Sequence, residues 1–255
     1  MIYGLYLSAT GVLTNSYRQD VISNNIANAE TVGFKKDLAT FQQRRTAAQE
    51  SGDLSASNRI LESLGGGIFA SPTRVDLSQG DLEPTGNPLD VAIQGNGFFK
   101  VTDGNKVSLT RDGRFMVNQV GHLVMTNNGA QQVLDQKDLP IQFDVKQAGK
   151  LVAVNEVGQI TQDNVPVATI GLHDITDSSK LKKIGGNLMS YPDTEAMRPA
   201  TGAVRGGFVE NANVEPALEL SSLMDAQRQL EANANMIRYQ DQTLARLVND
   251  VGKIS

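Results

Sequence analysis

Two histidines, His122 and His173, are the residues in this sequence best suited to metal binding or proton transfer. Each lies in a short stretch that predicts a strand, and the two stretches are far apart along the chain. A metal site usually draws on His, Cys or carboxylate side chains at close spacing, and neither histidine has such neighbours. We therefore expect both to be ordinary strand residues, and the sequence predicts no metal site.

The tripeptide Gly95-Asn96-Gly97 resembles part of a phosphate-binding loop. It precedes the apolar pair Phe98-Phe99 rather than a helix, and no third glycine follows at the required spacing. A tight turn leading into a strand explains it better, because glycine accepts positive φ at little cost. The sequence also contains no Walker A motif, no G-x-S-x-G elbow and no calcium-binding loop. We expect no cofactor and no enzyme activity.

Carboxylate pairs such as Asp76 with Asp81, or Asp174 with Asp177, are available for acid–base catalysis. Nothing in their sequence context indicates a pocket or a perturbed pKa, so we interpret them as solvated surface groups. The sequence therefore predicts no catalytic residue.

The charged residues do not form a surface suited to nucleic acid. The chain carries a formal charge of −5, has no cysteine and contains no block of like charges. Its dense basic spots are short: Lys35-Lys36, Arg44-Arg45, and Lys180 with Lys182-Lys183. We interpret each as a solvated face or a turn, and expect neither nucleic-acid binding nor disulfides.

The apolar residues do not form a membrane segment either. No run approaches the roughly 18 apolar residues that a spanning helix needs. The opening MIYGLYLSATGVL has no basic residue before its apolar part, so we expect no cleaved signal peptide and no membrane insertion.

The first part of the chain has the apolar spacing of an amphipathic helix that runs from Ile2 to about Asn28. Gly33 is a plausible stop. The apolar positions are Ile2, Leu5, Ala9, Val12, Leu13, Tyr17, Val21, Ile22 and Ile26.

The last part has a heptad pattern that begins near Pro216, a residue tolerated in a first helical turn. One apolar series recurs at every seventh position: Leu223, Leu230, Ile237, Leu244 and Val251. A second series, interrupted by Gln227 and Asp241, lies three residues before it: Leu220, Ala234 and Val248. Both terminal helices are long enough to pair along most of their length.

Two interpretations of the terminal helices are open at this point. The C-terminal helix packs on the N-terminal one inside a single protein, or the two pair and also pack against other copies of the chain. The second interpretation is favoured by many side-chain amides, which donate and accept hydrogen bonds at once. On that interpretation Asn24, Asn25 and Asn28 fix register in an interface; the alternative is that they end the helix and bond their own backbone.

The middle of the chain changes to short apolar alternations separated by turn dipeptides. These dipeptides include Asp103-Gly104, Asp112-Gly113 and Asn128-Gly129, with Gly121 and Gly149 beside further runs. Such turns favour hairpins. The sequence thus predicts an α+β fold, with terminal helices pairing as a coiled coil around a central antiparallel β domain. The segments are 1–35, an extended connector at 36–74, the β domain at 75–210, and the C-terminal helix at 211–255.

The stretch SNNIANAETVGFKKD, from Ser23 to Asp37, resembles the N-terminal signature of bacterial flagellar axial proteins, the rod, hook and hook-associated group. The matching positions are Asn24, Asn25, Ala27, Asn28, Gly33 and Phe34. The resemblance continues through GDLEPTGNPLDVAIQGNGFFKV, LTRDGRFMVNQVGHLV and GGNLMS, and ends in GGFVENANVEPALELSSLMDAQRQLEANANMI. In that last stretch Gln229-Leu230 departs from the usual small residue followed by an aromatic one.

This resemblance implies a structural subunit of the basal-body rod. Such a subunit is exported unfolded and uncleaved through the flagellar type III apparatus and assembles helically with other rod and hook proteins around a channel. Its terminal helices build the inner tube, and its β domain forms the outer layer. The chain is short for a hook protein, and the stretch from Arg44 to Gly67 lacks a distal-rod pattern, which favours the proximal rod. A distal-rod or hook-type subunit, a non-polymerising adaptor and a wall-acting accessory protein are the alternatives.

The residues expected to mediate assembly follow from the helical patterns and the resemblance together. They are Leu5, Val12, Asn24, Asn25, Ile26, Asn28, Gly33 and Phe34 near the start, and Leu223, Gln227, Arg228, Leu230, Asn233, Ile237, Leu244 and Val251 near the end.

Overall fold

The computed structural model describes residues 2–43, 67–127, 129–143, 152–155, 158–163, 165–192 and 197–252. The expectations for Arg44-Arg45, Asn128 and Gly149 lie outside these residues. Two compact units are present. The helical unit consists of Met1–Ala27, Asp37–Arg74 and Glu215–Ser255, and the β unit consists of Asn28–Lys36 and Val75–Val214.

The two predicted terminal helices are present in the helical unit. Helix α1 spans Ile2–Ala27, and helix α2 spans Pro216–Gly252. Pro216 occupies the first turn, where its missing N–H costs no helical hydrogen bond. Neither described helix is long and apolar enough to cross a membrane.

The two helices pack against each other in an antiparallel arrangement. Gly4 faces the side chain of Gln240, and Gly11 faces that of Asn233, so position numbers rise along α1 as they fall along α2. The two glycines thus leave room for the amide side chains of α2.

Two strands pack beside α1 within the helical unit. They are β1, Asp37–Gln43, and β2, Ile68–Val75, which pair with each other in a two-stranded sheet. The Tyr17 hydroxyl donates a 3.1 Å hydrogen bond to the Ser71 carbonyl, and its ring meets Phe41 edge to face at 6.1 Å. The segment 36–74 therefore contains these two strands, and residues 44–66 lie outside the described part of the chain.

The β unit is built from short strands. They are β3 Leu82–Pro84, β4 Val91–Gln94, β5 Phe98–Thr102, β6 Val107–Thr110, β7 Phe115–Val117, β8 Leu123–Met125, β9 Gln132–Val133, β10 Val152–Val154, β11 Gln159–Gln162, β12 Val165–Thr169, β13 Leu172–Asp174, β14 Lys182–Gly185, β15 Leu188–Ser190, β16 Arg198–Pro199, β17 Ala203–Gly206 and β18 Phe208–Glu210. A 3₁₀ turn occurs at Ser178–Lys180. Within the described residues, the strands of this unit pair in antiparallel fashion, as predicted.

The largest sheet has β5 at its centre. Its order is β14-β15-β6-β5-β9-β8-β7, with β13 also paired to β5 and β16 paired to β13. Strand β4 pairs with β17, β3 pairs with β18, and β10, β11 and β12 form a separate three-stranded sheet.

Strand β5 separates two hydrophobic clusters because successive side chains of a strand point to opposite faces. Phe99 and Val101 pack in the larger cluster, where Phe99 meets Phe115 edge to face at 5.2 Å. Phe98 packs in the smaller cluster with Leu109 and neighbouring apolar side chains. The core of the β unit therefore lies on both sides of this strand.

Two of the predicted turns have different outcomes. Asp103-Gly104 connects the antiparallel strands β5 and β6, with Gly104 at φ +91°, so this hairpin is confirmed. Asp112-Gly113 was predicted as a hairpin turn, and that prediction is wrong, because β6 pairs with β5 and β15 while β7 pairs with β8. Gly113 is needed there for another reason: a Cβ on it would collide with the Val91 carbonyl.

Candidate assembly interface

We call the line along which Gly4 and Gly11 of α1 face Gln240 and Asn233 of α2 the seam, and members of the predicted heptad series lie three residues before each of these two amide residues. Leu223, Leu230, Ile237 and Leu244 are partly buried. A second series follows the first three of them at a distance of three residues, and its members are buried or partly buried as well: Ala226, Asn233 and Gln240. The series proposed from the sequence differs here, because Leu220 and Val248 are exposed. Val251 lies near the end of α2, outside the residues whose side chains are described.

On α1 the spacing between successive seam positions alternates between four and three residues. These positions are buried or partly buried: Gly4, Ser8, Gly11, Asn15, Arg18, Ile22 and Asn25. Small and polar side chains therefore predominate on this side of the seam. Ser8 and Asn15 are buried, and the Asn15 amide donates a 2.9 Å hydrogen bond to the Gly11 carbonyl of its own helix. Leu5, Val12 and Ile26 are partly buried beside the seam.

The apolar face predicted for α1 is wrong at Leu13, whose side chain is 69% exposed. The seam follows a spacing of four and three residues, and position 13 lies outside it. Other large apolar side chains of the helical unit are exposed as well: Tyr6, Leu7, Leu38, Phe41, Ile68, Phe69, Leu218, Leu220, Met224, Met236, Tyr239, Leu247 and Val248. The unit thus presents many apolar groups to solvent.

The asparagines at the end of α1 have local hydrogen-bond partners. The Asn25 amide donates to the Asp37 carbonyl at 2.9 Å, and its oxygen accepts from the Asp37 N–H at 2.9 Å. The Asn28 carbonyl accepts from the Thr31 N–H at 3.0 Å as the helix ends. Asn24 is exposed and has hydrogen-bonding or electrostatic partners. The Asn25 and Asn28 contacts are of the backbone-bonding kind, and the interface role of the three asparagines stays a prediction.

Gly33 is held in the β unit at a position that admits no side chain. Its φ is +71°, and a Cβ on it would lie 2.6 Å from the Arg111 carbonyl carbon and closer still to the Asp112 nitrogen. Its N–H donates a 2.7 Å hydrogen bond to the Glu210 carbonyl. Phe34 is buried, with the Lys183 ammonium 4.0 Å from the centre of its ring. The Gly-Phe pair therefore anchors the chain to the β unit.

Lys35 is 1% exposed, so the prediction of a solvated Lys35-Lys36 pair is wrong for its first member. Its ammonium donates to Glu210 Oε1 at 2.6 Å and to the Ser78 carbonyl at 2.7 Å. Arg111 Nη1 donates to Glu210 Oε2 at 3.0 Å, and Arg111 Nη2 donates to the Gly95 carbonyl at 2.9 Å. We call Lys35, Arg111 and Glu210 the buried ion cluster.

Burial lowers the pKa of both Lys35 and Arg111 below their ordinary values, and the Glu210 carboxylate opposes that effect. One carboxylate thus compensates two desolvated cations. Glu210 Oε1 also accepts from the Gly80 N–H at 3.0 Å, so both of its oxygens are hydrogen-bonded. Removal of this one carboxylate would leave two buried positive charges without their partner.

Asn213 forms a second anchor in the β unit. Its oxygen accepts from the Lys36 N–H at 2.7 Å, and its amide donates to the Asp76 and Ser78 carbonyls at 3.0 and 3.1 Å. The neighbouring Val32 carbonyl accepts from the Asn187 amide at 2.7 Å. The residues after α1 and before α2 are therefore fixed by several polar contacts with the β unit.

Sequence reasoning did not find Arg111, Glu210 or Asn213. Their contacts with residues 33–36 join positions that are far apart in the sequence, so no local pattern predicts them. One signal was available for the carboxylate: Glu210 lies between Val209 and an Asn-rich stretch, in a short strand with no other charged residue.

Gln227 and Arg228 are exposed on α2 and bond along their own helix. Gln227 donates to Glu231 at 3.3 Å, and Arg228 lies 3.9 Å from the Asp225 carboxylate. Such surface pairs contribute little to stability.

The residues first considered for chemistry are placed in the β unit. His173 lies in β13, with Nε2 3.8 Å from the Asp138 carboxylate, and burial together with the nearby Lys100 lowers its pKa. His122 forms a single bridge with Gln142. Gly95 and Gly97 have positive φ in the turn before β5, as predicted. No group of three or more potential metal ligands occurs among the described residues.

Three family models match this chain. The model described as "Flagella basal body rod protein" matches residues 5–35. "Flagellar hook protein FlgE/F/G D1 domain" matches residues 92–162, and "Flagellar basal body rod FlgEFG protein C-terminal" matches residues 205–250.

Full-length relatives are similar to the chain as well. The "Flagellar basal-body rod protein FlgG" of Buchnera aphidicola subsp. Schizaphis graminum is 36% identical over 97% of this chain and 99% of its own length. The protein of the same name from Bacillus subtilis is 32% identical over 98% of this chain and 99% of its own. The "Flagellar basal-body rod protein FlgF" of Caulobacter vibrioides is 34% identical over 98% of each chain.

Proposed function

The chain belongs to the flagellar basal-body rod protein family and is a structural subunit of the rod, and on that premise we propose that its copies self-assemble helically through their terminal helices. The assembled tube forms the drive shaft and export channel between motor and hook. The subunit reaches the rod through the flagellar type III export apparatus without cleavage, and contacts other rod and hook proteins there. It binds no cofactor and catalyses no reaction.

The observation that carries this proposal is the large set of exposed apolar side chains on the helical unit. Leu13, Met236, Tyr239 and Val248 are examples on the two helices, and Leu38 and Phe69 are examples on the adjacent strands. Large contiguous apolar surfaces of soluble proteins usually mark interaction sites. In the proposed helical tube each subunit packs against further copies of itself, so a second copy of this chain is the expected occupant of this surface.

Within each copy, we propose that α1 and α2 pair as a coiled coil. The support is the heptad spacing of the α2 seam and the four-and-three spacing of the α1 seam. The segments 1–35 and 211–255 then carry assembly, and the residues expected at the interface from the sequence are the first targets for testing. Segment 36–74 connects them to the β domain at 75–210.

The test is a charge placed on the exposed apolar surface. We expect Leu13→Asp to leave the monomer folded and to prevent rod formation, because the aspartate would be buried without a partner between copies. Basal bodies from cells carrying the variant, viewed by electron microscopy, report rod formation, and circular dichroism of the purified chain reports folding. Val120→Asp is the matched control, because Val120 is 63% exposed in the β unit.

Normal rods with Leu13→Asp would contradict the proposal. An equal loss of rods with Val120→Asp would show that any added surface charge is harmful, and would also contradict it. Subunits present at a single copy per basal body would instead support an adaptor that does not polymerise.

For position along the rod we propose the proximal part, and the similarity to both FlgF and FlgG relatives is compatible with it. A tag inserted at Gly104, in the open turn between β5 and β6, would mark the axial position by cryo-electron microscopy of basal bodies. Density at the end of the rod nearest the hook would assign the distal part instead.

A further inference from the structure

We propose that Gly4 and Gly11 of α1, facing Gln240 and Asn233 of α2, determine the register in which the two terminal helices pair. We call these two glycine–amide contacts the register pairs. The inference concerns the pairing inside one chain, so it stands whether or not the helices also assemble between copies.

The register pairs are close packed. A Cβ on Gly11 would lie 2.7 to 2.9 Å from all three terminal atoms of the Asn233 side chain. A Cβ on Gly4 would lie 2.7 Å from the Gln240 nitrogen. The longer Gln240 side chain can move aside more easily than the short Asn233 side chain. The contact of Gly11 with Asn233 is therefore the more restrictive of the two.

The two glycines are seven residues apart, and so are the two amide residues. Seven residues is the heptad interval of the seam. Continuing the same antiparallel register places Arg18 opposite Ala226, which is fully buried. A large side chain thus faces a small residue at three successive heptads, and the large residue changes helix between the second and the third. Because the large residue belongs to α2 in the first two layers and to α1 in the third, the layers are not equivalent. A shift by one heptad would therefore mismatch them.

The apolar positions of the seam cannot supply that information. Leu223, Leu230, Ile237 and Leu244 are similar in size and hydrophobicity, so a shift by one heptad would exchange one for another at little cost. A shift in one direction would instead bring Arg18 against Asn233 and Gly11 against Gln240. A shift in the other direction would leave Gly11 facing Ala226, with a gap where the amide had been.

The amides are not explained by stability alone. Gln240 Oε1 is buried without a hydrogen-bond partner among the described residues, which costs free energy. A polar residue at a seam position is a known way to select one register at the expense of stability. Gln240 has that position and that cost.

Engineered cysteines can report the register, because the natural chain contains none. Interpolating between the two register pairs places Ser8 in the same layer as Ile237. The pair Ser8→Cys with Ile237→Cys should form an intramolecular disulfide, whereas Ser8→Cys with Leu230→Cys should not. Seven helical residues span about 10.5 Å, which exceeds the reach of a disulfide. Mass spectrometry of the full-length monomer measures the yield of each crosslink.

The decisive variants exchange the two members of one register pair. Gly11→Asn should lower the 8–237 crosslink by about tenfold or more, because the added side chain would overlap that of Asn233, and should raise the 8–230 crosslink. Adding Asn233→Gly restores the space and should return the 8–237 crosslink to the yield in the unchanged background. That recovery distinguishes loss of register from loss of folding.

A wild-type yield of the 8–237 crosslink in Gly11→Asn would overturn the proposal. A loss that Asn233→Gly does not restore would overturn it as well, since the pair would then have no reciprocal role. Failure of rod assembly in Leu13→Asp tests a different surface and leaves this result unaffected.

Discussion

Glu210 shows how much one side chain can hold together in this molecule. Its carboxylate accepts hydrogen bonds from Lys35 and Arg111, and its backbone carbonyl accepts one from Gly33. The three donors come from the N-terminal signature and from a distant part of the β unit. A buried charge that loses its partner is far more costly than a well-packed apolar replacement of the whole cluster.

We predict that Glu210→Gln destabilises the β unit by about 3 kcal/mol or more. The amide keeps the shape of the side chain but leaves two desolvated cations without a counter-charge. Urea unfolding followed through tertiary-structure signals measures the loss. Glu215→Gln is the control, because Glu215 is exposed, and a change below about 0.5 kcal/mol is expected there. Equal stability of the two variants would disprove the structural role of the buried ion cluster.

Substitutions at Gly33 and Gly86 separate two costs of adding a side chain: the strain of left-handed backbone and the collision of the side chain with its neighbours. Both have nearly the same φ, +71° and +73°, but a Cβ on Gly86 would meet no atom within 4 Å. Gly86→Ala should therefore cost about 1 kcal/mol, the strain of left-handed backbone in a residue with a side chain. Gly33→Ala should cost roughly 3 kcal/mol or more, because its methyl group collides with backbone that cannot move aside. Thermal unfolding of the two variants tests this, and equal melting temperatures would show that the segment at Gly33 can shift.

At the scale of elements, the local patterns in the sequence were sufficient for the two helices. The 3.6-residue spacing in the first helix and the heptads before and after Leu230 predicted both, and Pro216 indicated where the second begins. The same patterns wrongly placed Leu13, Leu220 and Val248 on the buried faces of the helices, and all three are exposed. Seam geometry depends on the partner helix, and here that partner contributes glycines and polar residues rather than a matching apolar stripe.

The strands were predictable where a short turn containing Asp-Gly joins them, as at Asp103-Gly104. They were not predictable at Asp112-Gly113, because the same dipeptide there serves a close backbone approach rather than a hairpin. The burial of Lys35 had no local signal at all, since 175 residues separate it from Glu210. Contacts between residues so far apart in the sequence depend on the topology of the chain, and local sequence patterns carry no information about topology.

The pairing of α1 with α2 can be tested by a substitution at Ile237. A charge at this partly buried seam position should weaken the contact of α2 with α1, so we expect Ile237→Asp to lower helix stability by roughly 2 kcal/mol or more and to prevent assembly. The β unit should be unaffected. Val248→Asp is the control for pairing, because Val248 is 70% exposed and should tolerate the charge in the monomer. Circular dichroism at helical wavelengths during thermal unfolding measures both, and an unchanged transition in Ile237→Asp would contradict the seam.

At the scale of the whole molecule, the β unit is not one continuous stretch of sequence. It includes Asn28–Lys36 in addition to Val75–Val214. We predict that a fragment of residues 28–214 folds its β unit cooperatively. A fragment of residues 75–214 should be much less stable, because it lacks Lys35 and Gly33, and Glu210 loses two of its hydrogen-bond donors.

Hydrogen exchange of both fragments would show whether the strands are protected. Comparable protection in the two would mean that the N-terminal signature is dispensable for the β unit. Lys35→Met in the longer fragment separates the contribution of the ammonium from that of the segment as a whole.

The helical unit has a related property with a consequence for protein synthesis. Its two helices come from opposite ends of the described chain, with α1 ending at Ala27 and α2 beginning at Pro216. A ribosome therefore completes the whole β unit before the partner of α1 exists. A chain that terminates just before Pro216 contains a finished β unit but no partner for α1. On our proposal that copies assemble through this pair, a chain without α2 has no place in the polymer, so assembly checks that each copy was translated past the β unit.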